Sequence, residues 1–116
     1  MINGKTEQFL DTGWFSESTL FYNGYIYWCE AQRSSDDGCI NFFIDRWKAQ
    51  NESNTYYHSC LEKDGTLSWK IIFDIEGTDI DELKKRFLTS PIFEGKNFWE
   101  VENELAWLEE GSPIIQ

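Results

Sequence analysis

A hairpin is the first element that the pattern of apolar and polar residues predicts. Residues 20–28 read LFYNGYIYW and place the dipeptide Asn23-Gly24 between aromatic and β-branched residues. Both positions of this dipeptide tolerate the positive φ angles of a type I′ turn, whose twist matches that of paired antiparallel strands. Residues 20–22 and 25–33 are therefore expected to pair as two strands.

Three more strands are expected before the helices begin. Residues 39–49 are apolar and aromatic, and residues 55–61 follow the polar stretch QNESN. In residues 66–75 the odd-numbered positions from Leu67 to Ile75 are apolar, with more polar neighbours. Because successive side chains of a strand point to opposite faces, this alternation predicts a strand with one face on the core.

The period of the pattern changes after residue 77, where a first helix is expected. Ile80, Leu83 and Phe87 recur at helical spacing and would share one face. They follow Thr78-x-x-Asp81, a capping-box pattern in which the first side chain accepts a hydrogen bond from the helix amino terminus. We therefore predict a helix that begins at this box.

A second helix is expected over residues 97–111, NFWEVENELAWLEEG. Asn97 would be its N-cap, and Glu100 stands at the third helical position. The apolar stripe of this helix would consist of Phe98, Val101, Leu105 and Leu108. Strands grouped before helices predict a single α+β domain over residues 1–116, an antiparallel meander of about five strands followed by two C-terminal helices packed on one face.

Charge narrows the class of partner. Among 116 residues, 21 are acidic and 10 are basic, a formal net charge of −11. Such a field disfavours direct binding to nucleic acid or anionic membranes and favours a basic protein. The chain shows no signal-peptide pattern and no apolar stretch of membrane-spanning length, and its three cysteines leave at least one unpaired. We expect a cytoplasmic protein with free thiols, or one whose export signal has been removed.

Residues with catalytic or metal-binding chemistry are few. His58 and Cys60 share one face of a predicted strand, but zinc would need further ligands from other strands and no C-x-x-C pair is present. A calcium loop beginning at Asp74 would need glycine where Asp79 stands and glutamate where Lys85 stands. Nucleophile-elbow, phosphate-loop and zinc-hydrolase motifs are also missing. We therefore expect no enzyme, no metal and no cofactor.

The glutamates of the predicted second helix are placed where they would destabilise it. Glu110 stands at the carboxyl end, where negative charge opposes the helix dipole, and Glu100 faces Glu104 one turn later. At 100° per residue, Trp107 would lie opposite the apolar stripe, beside Glu100, Asn103 and Glu104. A partly exposed tryptophan ringed by carboxylates is typical of an interface anchor for a basic partner.

The sequence leaves undecided at two places how far this acidic surface extends. The tail at residues 111–116 could fold over Trp107, in which case the glutamates would serve only solubility. Asp36 and Asp37, in the loop SSDDG, either extend the acidic surface or form an ordinary hairpin loop. The candidate partner-binding residues are Asp36, Asp37, Glu100, Asn103, Glu104, Trp107 and Glu110.

A small, strongly acidic, aromatic-rich α+β domain without catalytic residues resembles the immunity proteins that neutralise bacterial toxins, including those of contact-dependent growth inhibition systems. The resemblance is one of size, charge and style over the whole chain. It implies tight binding to a cationic nuclease toxin domain, whose active site would be blocked or occluded. Three alternatives remain: a DNA mimic that occupies the groove of a DNA-binding protein, a general adaptor, and a small hydrolase using carboxylates.

Overall fold

One antiparallel sheet and three helices make up the part of the chain that the computed structural model describes, residues 1–34, 37–48 and 70–108. The helices are α1 (Thr6–Asp11), α2 (Ile80–Thr89) and α3 (Phe98–Val101), and a 3₁₀ turn covers Gly13–Phe15. The strands are β1 (Ser18–Tyr22), β2 (Tyr25–Arg33), β3 (Ile40–Lys48), β4 (Lys70–Gly77) and β5 (Ala106–Leu108).

The described strands form one sheet in the order β4-β3-β2-β1-β5, and all neighbouring strands are antiparallel. Strands β1 to β4 follow each other as a meander, and β5 joins the free edge of β1 after the chain has passed through α2 and α3. Helix α2 packs against β4, and α3 packs against α2. The predicted α+β class is confirmed, and one of the described strands, β5, follows the helices.

The predicted hairpin is confirmed, and its turn shows why the sequence specifies it. Tyr22 pairs with Tyr25, and the two residues between them have φ angles of 50° at Asn23 and 85° at Gly24. Asparagine and glycine adopt such angles more readily than other residues, and this is what a type I′ turn requires. The predicted strand at residues 39–49 is confirmed as β3, whereas the one at residues 55–61 lies outside the described residues.

The predicted strand at residues 66–75 is confirmed in part, because β4 contains an irregularity that its alternation did not predict. Ile44 pairs with Phe73, but the next residue of β3 pairs with Ile71, so the register shifts at this point. As a result Ile72 and Phe73 both pack against the core, and Ile71 is exposed. The extra residue reverses the faces of the strand before it, as a β-bulge does.

The main core lies between the helices and one face of the sheet, and aromatic rings dominate it. Phe87 of α2 lies 5.4 Å from Phe42 of β3 and 6.0 Å from Trp14, measured between ring centroids. Phe9 of α1 stacks on Phe98 of α3 at 5.8 Å with an interplanar angle of 4°. Each such ring buries roughly 150–250 Å². These contacts therefore hold α1, α2 and α3 on the same side of the sheet.

The other face of the sheet is apolar as well. Ile26 and Trp47 are buried there together with Ala106 and Leu108 of β5. Consecutive residues Ile26 and Tyr27 point to opposite faces, yet both are fully buried. A strand that is buried on both faces loses the polar alternation of a half-exposed strand. This is why the first five residues of β2, residues 25–29, are all apolar or aromatic.

The cap of α2 differs from the prediction by one residue. Asp79, not Thr78, is the N-cap, because its carboxylate accepts hydrogen bonds from the backbone N–H groups of Asp81 at 3.0 Å and Glu82 at 3.4 Å. A carboxylate at this position satisfies two N–H groups that lack helical partners and also complements the helix dipole. The capping-box prediction at Thr78 is therefore wrong, while the helix itself is confirmed.

The second predicted helix is much shorter than expected. Its capping box is confirmed, since Asn97 and Glu100 each accept a hydrogen bond from the other's backbone N–H at 3.0 Å. The helix nevertheless ends at Val101, and the chain re-enters the sheet as β5. Ile2 fixes this strand by donating to the Leu105 carbonyl at 2.8 Å and accepting from the backbone N–H of Trp107 at 2.8 Å. The helix prediction for residues 102–108 is therefore wrong, and residues 109–111 lie outside the described residues.

Candidate interaction surface

Trp107, the predicted anchor, is a half-buried residue of β5 that packs against the amino-terminal part of the chain. Its ring meets Phe9 edge-on at 5.5 Å. It also rests on two glycines, because a Cβ on Gly4 would lie 2.5 Å from its Cε3 and one on Gly13 would lie 2.7 Å from its Cζ2. The predicted helical placement of Trp107 beside Glu100 is wrong, because this part of the chain is a strand.

Trp99 is the tryptophan that α3 presents to solvent, and it is 54% exposed. The ring of its neighbour Phe98 is fully buried and meets the Trp99 ring edge-on at 5.2 Å. Sequence reasoning missed Trp99, although the helical spacing contained the signal. One residue after Phe98 and four before Asn103, it falls outside the apolar stripe of the helix.

Three polar side chains accompany Trp99 on the same stretch of chain, and all three are exposed: Glu100, Asn103 and Glu104. The backbone N–H of Glu104 donates to the Val101 carbonyl at 2.8 Å, which fixes the turn after α3. The structure thus brings three of the predicted partner-binding residues together with a tryptophan. We refer to Trp99, Glu100, Asn103 and Glu104 as the α3 surface.

Glu102 has a different role from the glutamates on either side of it. Its carboxylate accepts a hydrogen bond from the Thr6 hydroxyl at 2.6 Å and one from the amino group of Met1 at 3.3 Å. The Thr6 hydrogen bond and the Met1 amino group hold the pKa of this carboxyl below its usual value. Glu102 therefore fastens the turn after α3 to the start of α1, whose exposed Glu7 and Asp11 add negative charge on that helix.

Asp37 lies at a separate place, in the loop between β2 and β3. It is exposed, and its carboxylate accepts a hydrogen bond from the backbone N–H of Cys39 at 2.9 Å. Ala106, the first residue of β5, and Ile26 of β2 both pair with Phe21 of β1. The three residues therefore lie side by side across the sheet. Residues 26 to 33 of β2 extend roughly 23 Å further before the loop begins, at about 3.3 Å per residue. Asp37 is therefore not part of the α3 surface.

Four of the candidate functional residues lie outside the described residues: Asp36, His58, Cys60 and Glu110. Cys29 and Cys39 are free thiols. Burial raises the pKa of Cys29, and desolvation together with nearby carboxylates raises that of Cys39. Across the described ranges no three metal-ligating side chains gather into a possible site. No helix there is both long and apolar enough to cross a membrane.

Arg46 of β3 forms a cluster that the sequence did not reveal. Its guanidinium carbon lies 3.6 Å from the centre of the Tyr25 ring. Nε donates to the Tyr27 hydroxyl at 3.2 Å, and Nη2 donates to the Glu94 carboxylate at 2.6 Å. Through these contacts the guanidinium group connects the sheet with the turn after α2. We interpret this cluster as structural.

Comparison of the chain with protein-family models, with curated proteins and with solved structures yields no match. The most distinctive feature of the chain is the α3 surface, where an exposed aromatic ring accompanies exposed carboxylates.

Proposed function

We propose that this chain binds a basic protein through the α3 surface, and that the partner is a nuclease-type toxin domain that it neutralises as immunity proteins do. The observation that carries the proposal is the 54% exposure of Trp99 beside Glu100 and Glu104. Buried tryptophans with a polar rim dominate the energy of many protein interfaces. Because the Trp99 ring is largely exposed to water, its burial against a partner would be favourable.

The backbone that carries Trp99 is held in place before any partner arrives. Phe98 anchors this part of α3 in the core through its stack on Phe9, and the capping box fixes the first turn. A tryptophan side chain has only two rotatable bonds, so little conformational entropy remains to be lost on binding. Such preorganisation favours tight binding, because less of the interaction energy is spent on ordering the surface.

Charge supports a basic partner. The chain has a net charge of −11, and residues 97–116 contain five glutamates and no lysine or arginine. A nuclease must carry positive charge in order to hold phosphates, so an acidic inhibitor gains both attraction at a distance and complementarity in contact. Glu100 and Glu104 are both exposed, so a basic partner can reach both carboxylates.

The first test is affinity capture from a lysate of the source cells, with partners identified by mass spectrometry. The native chain should retain one basic protein, and a chain with Trp99→Ala and Glu104→Gln should lose it. Equal capture by both chains would contradict the assignment of the α3 surface. Capture of many different DNA-binding proteins would favour a DNA mimic instead.

The second test separates charge from the aromatic anchor, with the captured partner purified. Glu100→Gln together with Glu104→Gln should slow association and flatten its salt dependence, since rim charges act mostly through steering. Glutamine at position 100 can still accept the capping hydrogen bond. Trp99→Ala should instead speed dissociation, with a loss of about 2 kcal/mol or more, or roughly 30-fold in affinity.

A control with the same change in net charge is available on β4. Asp74 and Glu76 alternate with Ile75, which is buried in the main core, so they point to the face of the sheet away from α2 and α3. Asp74→Asn with Glu76→Gln should leave the association rate closer to that of the native chain. If both double variants slow association equally, the whole charge of the protein matters and the α3 surface does not.

A further inference from the structure

A cavity of about 500 Å³ lies between the strands β3 and β4 and the segment that follows α2. Its volume falls in the range of roughly 300–1,000 Å³ that is usual for small-molecule sites. The side chains that give its lining a chemical character are Arg46, Lys70, Ile72, Phe73, Ile92 and Glu94. No residue of the α3 surface lines it.

The strand register places both cations of this lining on the helix side of the sheet. Arg46 pairs with Tyr27 of β2 and with Lys70 of β4, and directly paired residues point to the same face. Tyr27 belongs to the main core, so this face is the one that carries the helices. The ion pair of Arg46 with Glu94, at 2.6 Å, brings the segment after α2 over the same face. The two walls therefore enclose a single site.

Charge favours an anion in this cavity. Like charges that stand directly opposite each other in an antiparallel pair are unfavourable, and Arg46 and Lys70 are such a pair. Although the chain is strongly acidic, the charged side chains among the described residues of the lining are these two cations and the Glu94 carboxylate. Neither ion pair in the described part of the chain involves Lys70. An oxyanion between the two cations would relieve their repulsion.

The Arg46 guanidinium is held in position before any ligand arrives. It lies 3.6 Å from the centre of the Tyr25 ring and donates to the Tyr27 hydroxyl and the Glu94 carboxylate. A guanidinium group has more N–H donors than these two acceptors use. Its plane can therefore donate to a ligand in the cavity as well, in the geometry that suits carboxylates and phosphates.

The carboxyl end of α2, which also borders the cavity, is capped. The backbone N–H and the hydroxyl of Ser90 both donate to the Arg86 carbonyl, at 3.1 Å and 2.6 Å. A helix carboxyl end disfavours negative charge through its unpaired carbonyl groups. These two hydrogen bonds therefore reduce the repulsion that an anion would meet there.

Beside the cations the cavity is apolar. Ile72 and Phe73 are consecutive, yet both pack against the main core because the register of β4 shifts at this point. Ile92, which is buried, lines the cavity from the segment after α2. A bare phosphate or carboxylate ion would leave this apolar surface in contact with water. A ligand that carries an apolar ring or chain beside its oxyanion would cover it.

We propose that this cavity binds a small organic anion, a carboxylate or phosphate group attached to an apolar ring or chain. The oxyanion accepts hydrogen bonds from Arg46 and Lys70, and the apolar part packs against Ile72, Phe73 and Ile92. The ligand is a small molecule, so this inference does not depend on a protein partner at the α3 surface.

Titration calorimetry and amide NMR of the full chain test the proposal. Benzoate and phenyl phosphate are the probes, which distinguish the two oxyanions, and benzylamine and inorganic phosphate are the comparators. At least one aromatic anion should bind at least about tenfold more tightly than either comparator and shift the backbone amide resonances of Lys70 and Ile92. The proposal is overturned if neither aromatic anion binds, or if benzylamine or inorganic phosphate binds as tightly.

A lysine variant with a matched control locates the oxyanion. Lys70→Gln should weaken the bound anion at least about fivefold, because it removes one of the two cations. Lys5→Gln makes the same change in net charge near β5, at the opposite edge of the described sheet, since the neighbouring Gly4 contacts Trp107. It should leave the affinity within about twofold. Equal affinities of the two variants would overturn the assignment of this cavity.

Glu94→Gln should change the affinity in the opposite direction. Glutamine removes the carboxylate charge from the cavity and can still accept the hydrogen bond from Arg46. Binding should become stronger by about two- to fivefold, because the anion no longer meets a like charge. Glu7→Gln, at an exposed position of α1, is the matched control and should leave the affinity unchanged. Weaker binding by folded Glu94→Gln, or an equal gain from Glu7→Gln, would overturn the proposal.

Discussion

The indole of Trp107 rests directly on the backbone of Gly13, and a Cβ at that position would lie 2.7 Å from Cζ2 and 3.0 Å from Cη2. Real Cβ atoms do not approach other carbons so closely, so Gly13→Ala must displace the ring or the turn that carries the glycine. We expect the variant to lose about 1–3 kcal/mol in free energy of unfolding, as overpacked cores do. Urea denaturation followed by tryptophan fluorescence measures this loss.

Gly77 offers a matched control for that prediction. A Cβ there would first meet Cδ2 of Leu83 at 3.3 Å, which is the end of a flexible side chain. Gly77→Ala should therefore cost less than Gly13→Ala, because the leucine can move aside. Equal losses at the two positions would show that the contact with Trp107 is not what makes Gly13 necessary.

Truncation of the two tryptophans near the C-terminal part of the described chain should destabilise the protein to very different extents. Trp107 is packed against Phe9 and the glycines, so Trp107→Ala should cost roughly 3–5 kcal/mol in free energy of unfolding. Trp99 is mostly exposed, so Trp99→Ala should cost only about 0.5–1 kcal/mol. Guanidinium or urea unfolding of both variants checks this. A large loss from Trp99→Ala would make Trp99 a core residue and remove the basis of the α3 surface.

Where local chemistry decides the structure, the sequence was a reliable guide. The Asn23-Gly24 turn, the helical face of Leu83 and Phe87, and the capping box of α3 each depend on residues within one turn of the chain. The prediction of the α+β fold class followed from the same local signals. These features needed no knowledge of distant residues.

The sequence failed where distant partners decide. Residues after Val101 have a helical pattern, but Ile2 and β1 offer them backbone hydrogen bonds and they form β5 instead. Helix α1 was not predicted because it is one short helix without a side-chain cap, and it exists through the packing of Phe9 on the core. Of the α3 surface, Glu100, Asn103 and Glu104 were identified from the sequence, whereas Trp99 was missed although its position outside the apolar stripe contained the signal.

Acid should weaken the attachment of α3 to α1. The hydrogen bond from Thr6 and the Met1 amino group lower the pKa of Glu102 from its value of 4.5 in an unfolded chain. As the pH falls, the unfolded state takes up this proton first, so the stabilisation is present above pH 4.5 and is lost as the pH falls through the lower folded pKa. Thr6→Val should therefore make the free energy of unfolding less dependent on pH in the acid range.

That measurement compares urea unfolding of native and variant chains across roughly pH 3–7. Thr89→Val is its control, because the Thr89 hydroxyl donates to the Lys85 carbonyl, which does not titrate. If Thr89→Val flattens the acid dependence as much as Thr6→Val does, the effect does not come from Glu102.

Arg46 should be irreplaceable by lysine even though the charge is kept. A lysine ammonium group cannot lie flat on the Tyr25 ring while also donating to the Tyr27 hydroxyl, as the guanidinium does. The Arg46 side chain is only 18% exposed, so the loss of these contacts is poorly compensated by water. We expect Arg46→Lys to reduce the free energy of unfolding by about 1–2 kcal/mol.

Glu94→Gln should cost only about 0.2–1 kcal/mol, since the Glu94 carboxylate is partly exposed and solvent screens its ion pair with Arg46. Thermal and urea unfolding of the two variants measure both losses. If Glu94→Gln costs as much as Arg46→Lys, the ion pair stabilises this cluster, and the stacking on Tyr25 is of secondary importance.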